Sequence, residues 1–114
     1  MSGTELEDRV AEAFEKRGYI VFRRKNHCDV LAVKPSMAVA YLVECKDYAL
    51  SKKQQILAVR ELNRNYTHAL ETLLENRLYA ERILKVLVAH AFSYQARGIY
   101  QYTPAEMIKH IQSS

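Results

Sequence analysis

The chain has 114 residues, 49% hydrophobic and 26% charged, enough for one globular domain with a modest core and too few for two domains of ordinary size. Its 17 lysines and arginines outnumber 13 acids, with a pI near 9.1, a balance that suits a polyanionic partner. No signal-type segment or run of 18 apolar residues occurs, so neither a secreted nor a membrane-spanning protein is expected, and the cytoplasm is the expected location.

In chain order, Thr4-Glu5-Leu6-Glu7 reads as a capping box opening a helix that runs to about Arg17 and stops at Gly18. Leu6, Val10, Ala13 and Phe14 form its apolar face, and Glu7 is the acid that falls on the inward side. Glu7 can serve the capping box, point into a site on a sheet, or do both. Tyr19 to Phe22 is a short strand ending in Arg23-Arg24-Lys25, a charge run that is either a solvated strand end or a phosphate contact.

The stretch from His27 to Tyr48 holds two β-branched runs, Val30 to Val33 and Val39 to Val43, around a turn signal at Lys34-Pro35-Ser36, and reads as a β-hairpin. With the turn centred between Ser36 and Met37, Asp29 lies directly across from Glu44. Opposed carboxylates about 5 Å apart repel, so a positive group between them is expected. Lys46 shares the face of Glu44. Cys28 and Cys45 have no CxxC or histidine-rich context and read as a reduced intracellular pair.

Ser51 is a candidate N-cap for a helical region from Lys52 to about Glu81, with Ile56, Val59, Leu62, Tyr66, Leu70, Leu73 and Leu74 as the buried stripe. Asn63-Arg64-Asn65 or Glu75-Asn76 can mark a bend or break, and the stripe can also meet a second copy of the chain. Leu84 to Ala89 reads as a strand buried on both faces and parallel to a neighbour. Ser93 to Arg97 is a turn or short helix, Ile99 to Tyr102 a short strand, and Thr103-Pro104-Ala105-Glu106 a strong helix start. The result is a single α/β domain over residues 1–114: a mixed sheet flanked by helices, with an αβββαβ core followed by a short strand and a helix.

Asp29, Glu44 and Glu7 converge if the first helix packs across the hairpin, and such a group is tolerable mainly with a hard divalent cation. A helix glutamate, a strand, an aspartate opening the next strand and ExK closing the third together resemble the PD-(D/E)xK, or restriction endonuclease-like, nuclease superfamily. Gly3-Thr4 through Glu7 to Arg17-Gly18-Tyr19, and Leu42-Val43-Glu44-Cys45-Lys46, resemble archaeal Holliday junction resolvases. Val86 to Ala89, Phe92 to Arg97 and the capped last helix are more similar to Mrr-like endonucleases. Cys28 stands where the superfamily's name has proline.

This resemblance implies Mg²⁺-dependent hydrolysis of DNA phosphodiesters, with Mn²⁺ as a substitute; a homodimer is expected because one site cuts one strand and 114 residues span little DNA. Asp29, Glu44 and the main-chain carbonyl of Cys45 would hold the ion, Lys46 would act on the attacking water, and Glu7 would hold a second ion or a water of the first ion's shell. Arg23, Arg24, Lys25, Tyr48, Lys52 and Lys53 are the expected DNA contacts, and Gln54 or Gln55 a further contact to the site. His27 is more simply incidental, and His90 and His110 carry no assigned role. Tyr100 and Tyr102 suit packing better than base stacking. The alternative is a non-catalytic DNA-binding or assembly module on the same fold.

Overall fold

The β-branched runs pair as the turn signal predicts. A computed structural model describes residues 3–24 and 29–114; Lys25, His27 and Cys28 fall outside them. Its elements are α1 (Gly3–Lys16), β1 (Ile20–Arg23), β2 (Asp29–Lys34), β3 (Val39–Cys45), α2 (Lys52–Glu75), β4 (Arg82–Val88), β5 (Tyr100–Tyr102) and α3 (Pro104–Gln112). Pro35–Met37 makes one 3-10 turn between β2 and β3, and Ala38 leaves it in the left-handed region at φ 51°. The hairpin register sets Asp29 opposite Glu44, as the centred turn requires.

The sheet order is β1-β2-β3-β4-β5, with antiparallel pairing up to β3 and parallel pairing of β4 to β3 and of β5 to β4. Alternation along the strands divides the core in two. Val30, Ala32, Tyr41, Val43, Val86 and Val88 pack with Leu6, Val10 and Phe14 of α1 and Met107 and Ile111 of α3. Leu31, Val33, Ala40, Leu42 and Leu87 pack with Ala58, Leu62, Ala69 and Leu73 of α2 on the other face. The mixed α/β architecture and its αβββαβ core are those expected from the sequence.

Two local features differ from those expected from the sequence, the start of α1 and the buried stripe of α2, and two expected alternatives are decided, the break at Glu75-Asn76 and the turn at 93–97. Helix α1 is already formed at Gly3, so Thr4 lies inside it and the Glu7 carboxylate meets Arg23 rather than closing a capping box. Helix α2 stops at Glu75: the Asn76 side chain donates to the Thr72 carbonyl, and Arg77 turns left-handed at φ 53°. Residues 93–97 form turns rather than a helix.

The buried stripe of α2 is also rotated from the expected one, and runs Gln55, Ala58, Leu62, Asn65, Ala69 and Leu73, leaving Ile56, Leu70 and Leu74 exposed. Small alanines bring the helix close to the sheet, and two polar residues turn inward because each has a partner there. Gln54 completes a capping box with Ser51. Gln55 accepts from the Ser93 and Tyr94 amides at 2.7 and 3.3 Å and donates to the Tyr94 carbonyl at 2.7 Å, which ties down the β4–β5 connection. Neither glutamine has a hydrogen bond to Asp29 or Glu44. Replacing Gln55 by Leu removes the acceptor of the part-buried Ser93 and Tyr94 amides, each loss costing roughly 1–3 kcal/mol. Urea unfolding should show a loss of about 3 kcal/mol; a loss below about 1 kcal/mol would contradict this role.

Candidate active site

Asp29 opens β2 and Glu44 is the last residue but one of β3, so antiparallel pairing puts both at one end of the sheet and on the face covered by α2. Glu44 is 1% exposed and Asp29 6%. Each has one buried oxygen, Asp29 Oδ1 and Glu44 Oε2, that makes no hydrogen bond. The other oxygens are engaged. Arg24 donates to Asp29 Oδ2 at 3.3 and 3.4 Å, and the Asn65 amide to Glu44 Oε1 at 3.5 Å. Lys46 Nζ lies 3.5 Å from Glu44 Oε2, a charge contact without hydrogen-bond alignment, and 3.4 Å from Glu61 Oε2 of α2. A narrow cleft beside Asp29 is walled by Arg24, His68 and Thr72 together with apolar residues.

Glu7 reaches the same region from the other side. Helix α1 packs on the face opposite Asp29 and Glu44, and the buried Glu7 carboxylate is 3.4 Å from Arg23, which also pairs with Asp8. Burial raises the Glu7 pKa against the opposing effect of Arg23, and the charge of Asp29 adds to the rise. Burial likewise pushes Glu44 from 4.5 up to about 8; Lys46 opposes this, while Glu61 and Asp29 reinforce it. Among the described residues no group of three or more His, Cys, Asp or Glu side chains is gathered as a metal site. The convergence is thus a close pair, Asp29 and Glu44, with Glu7 held at its margin by an arginine.

The pair nevertheless fits a hard cation. Two buried carboxylate oxygens without hydrogen bonds, on directly opposed residues, are the donors such an ion takes, and Mg²⁺ commonly uses one or two protein carboxylates with waters filling the rest. The side chain of Cys45 is buried in the α1–α3 core, while its main chain runs between Glu44 and Lys46.

Of the expected DNA contacts, Tyr48, Lys52 and Lys53 are exposed at the same end of the sheet, whereas Arg23 and Arg24 are engaged by acids. His90 takes a 2.6 Å hydrogen bond with Asp47, and His110 stacks on Tyr102 under α3. Sequence reasoning missed Glu61 and Asn65. No sequence signal marked them, because the apolar periodicity of α2 points to a stripe that contains neither.

A helix, an antiparallel trio of strands, a crossover helix and a parallel strand, with acids and a lysine at one sheet end, place the chain in the restriction endonuclease-like class. It belongs to the restriction endonuclease family Mrr_cat, whose model matches residues 1–102, everything but the end of the chain that carries α3. Comparison with curated proteins and with solved structures returns no match.

The raised carboxylates make stability depend on pH when no cation is present. The folded state holds a proton on Glu44 that the unfolded state has released, so this contribution is intact below about 4.5 and declines as pH rises towards about 8. Glu7 acts in the same direction. Chemical unfolding in EDTA should therefore show stability falling between pH 5 and 8, by on the order of 2–4 kcal/mol. Glu44→Gln should flatten most of that slope, and an unchanged slope in this variant would refute the assignment.

Proposed function

We propose that the protein is a Mg²⁺-dependent endonuclease that hydrolyses DNA phosphodiester bonds. The observation that carries this reading is the pair of hydrogen-bond-free buried oxygens on Asp29 and Glu44 with Lys46 beside them, in a member of a restriction endonuclease family. Asp29, Glu44 and the Cys45 carbonyl would hold the ion, and Mn²⁺ would replace it. Bound there, the ion supplies Lewis acidity to a phosphoryl oxygen and lowers the pKa of water.

The chain's own residues do the rest. Asp29 and Glu44 would hold the cation, and through it set where the scissile phosphate sits. Lys46, as an ammonium, orients the attacking water by hydrogen bonding and steadies the negative charge that grows on the phosphoryl oxygens as the water oxygen bonds to phosphorus, its proton passing to solvent, and the ester oxygen leaves and takes a proton from solvent. Glu7, held by Arg23, would act through a water of the ion's shell. Tyr48, Lys52 and Lys53 would meet the DNA backbone, which positions the strand without reading its sequence.

Cutting both strands of a duplex or a branched junction calls for two such sites, and the exposed Leu70, Leu74 and Tyr79 offer apolar surface on α2 and just after it for pairing with a second copy. Light scattering should give a dimer mass that Leu74→Arg shifts towards monomer; a wild-type monomer at micromolar concentration would remove the dimer from this reading.

Incubation with four-way junction, duplex and single-stranded DNA in Mg²⁺ or Mn²⁺ should give cleavage of at least one substrate, abolished by EDTA. Asp29→Ala and Lys46→Ala should each lower the rate by about 100-fold or more. DNA binding unaffected by metal, with no cutting of any substrate, would instead identify a non-catalytic binding module.

A further inference from the structure

The candidate site residues that the nuclease resemblance supplies end at Lys46, yet the contacts of the site continue onto α2. Asn65 is 5% exposed, on a helix face that is otherwise Ala58, Leu62, Ala69 and Leu73 around it. A buried amide there is costly unless bonded, and its Nδ2 donates to Glu44 Oε1. One turn earlier on the same helix, Glu61 faces Lys46. We infer that Glu61 and Asn65 are positioning residues of the nuclease site: Asn65 fixes the carboxylate plane of Glu44, and Glu61 keeps Lys46 in place once a cation occupies Glu44. The inference rests on the nuclease reading of Asp29, Glu44 and Lys46.

The two contacts do different things. A carboxylate can turn about its last torsion, whose preference is broad. A donor on Oε1 selects the orientation in which Oε2 is left for Lys46 and a ligand. Lys46 is shared by two carboxylates, at 3.5 Å from Glu44 and 3.4 Å from Glu61. A divalent ion on Glu44 would cancel that carboxylate's attraction and repel the ammonium beside it. Glu61 remains as a carboxylate facing this long, flexible side chain at 3.4 Å. The Glu61 side chain is 42% exposed, so as a plain ion pair it contributes little to folding, and its effect belongs to the loaded site.

The test uses Glu61→Gln, which keeps shape and removes charge, Glu61→Asp, and Asn65→Leu, which keeps size and removes the donor. Steady-state cleavage, Mn²⁺ titration by calorimetry and thermal unfolding are measured for each. Glu61→Gln is expected to lower kcat by about tenfold or more, since small misplacement of a reacting group is enough for that. Its KM for DNA and its Mn²⁺ affinity should change less than about twofold and its melting temperature should hold, whereas Glu61→Asp should recover part of kcat.

Asn65→Leu is expected to weaken Mn²⁺ binding about tenfold, as loss of a ligand's supporting contact does elsewhere. If Asn65→Leu does not fold, Glu61→Gln decides. An active wild type with wild-type kcat in Glu61→Gln overturns this inference and leaves the nuclease reading standing. A wild type that binds no Mn²⁺ and cuts no DNA overturns both.

Discussion

Two carboxylates face each other across an antiparallel strand pair and are shut away from water. Glu44 and Asp29 are neighbours by register, so no side-chain rearrangement can separate them far while the hairpin persists. Much of the local structure answers this repulsion. Arg24 is drawn onto Asp29, Arg23 onto Glu7 and Asp8, and Lys46 onto Glu44 and Glu61. The rise of Glu44 to about 8 expresses the same conflict, since burial outweighs the single ammonium beside it. A buried carboxylate with so strongly raised a pKa, in a member of a restriction endonuclease family, is a candidate functional group on physical grounds.

Helix α2 is shaped by that constraint as much as by the core. Its inward face trades the larger apolar side chains Ile56, Leu70 and Leu74 for alanines and two polar residues. The trade loses some hydrophobic burial but brings Asn65 within reach of Glu44 and Gln55 within reach of the β4–β5 connection. Packing and site are therefore not separable here: rotating α2 to bury the greasier stripe would leave Glu44 without its amide donor.

The parts of this structure legible in the sequence are those governed by local rules. The hairpin register followed from counting outward from a turn, and Glu44 and Lys46 follow from period-2 alternation. Ser51 and Thr103 mark helix starts that form as capping boxes. The rotated α2 stripe was not legible, because hydrophobic periodicity ranks Ile56 and Leu70 above Gln55 and Asn65 and cannot know that an acid waits on the facing strand. Thr4 misled for a similar reason, since the same four residues fit a capping box whether or not the helix begins two residues earlier. Glu7 was correctly placed on the inward side, but its immediate partner is Arg23, contributed by another strand and thus invisible to a helical projection.

The pairing of acids with arginines also redistributes the positive charge that composition alone assigns to DNA. Arg23 and Arg24 are committed to Glu7, Asp8 and Asp29, so they balance the site before they can hold a phosphate. Lys52 and Lys53 lie exposed in the first turn of α2, where the helix dipole adds to their attraction for an anion. A strand tracking along that turn would lie over the element that carries Glu61 and Asn65. On the proposed nuclease reading, backbone engagement at the start of α2 and alignment of Glu44 and Lys46 further along it would share one rigid helix, and so would couple where DNA is held to where it is cut.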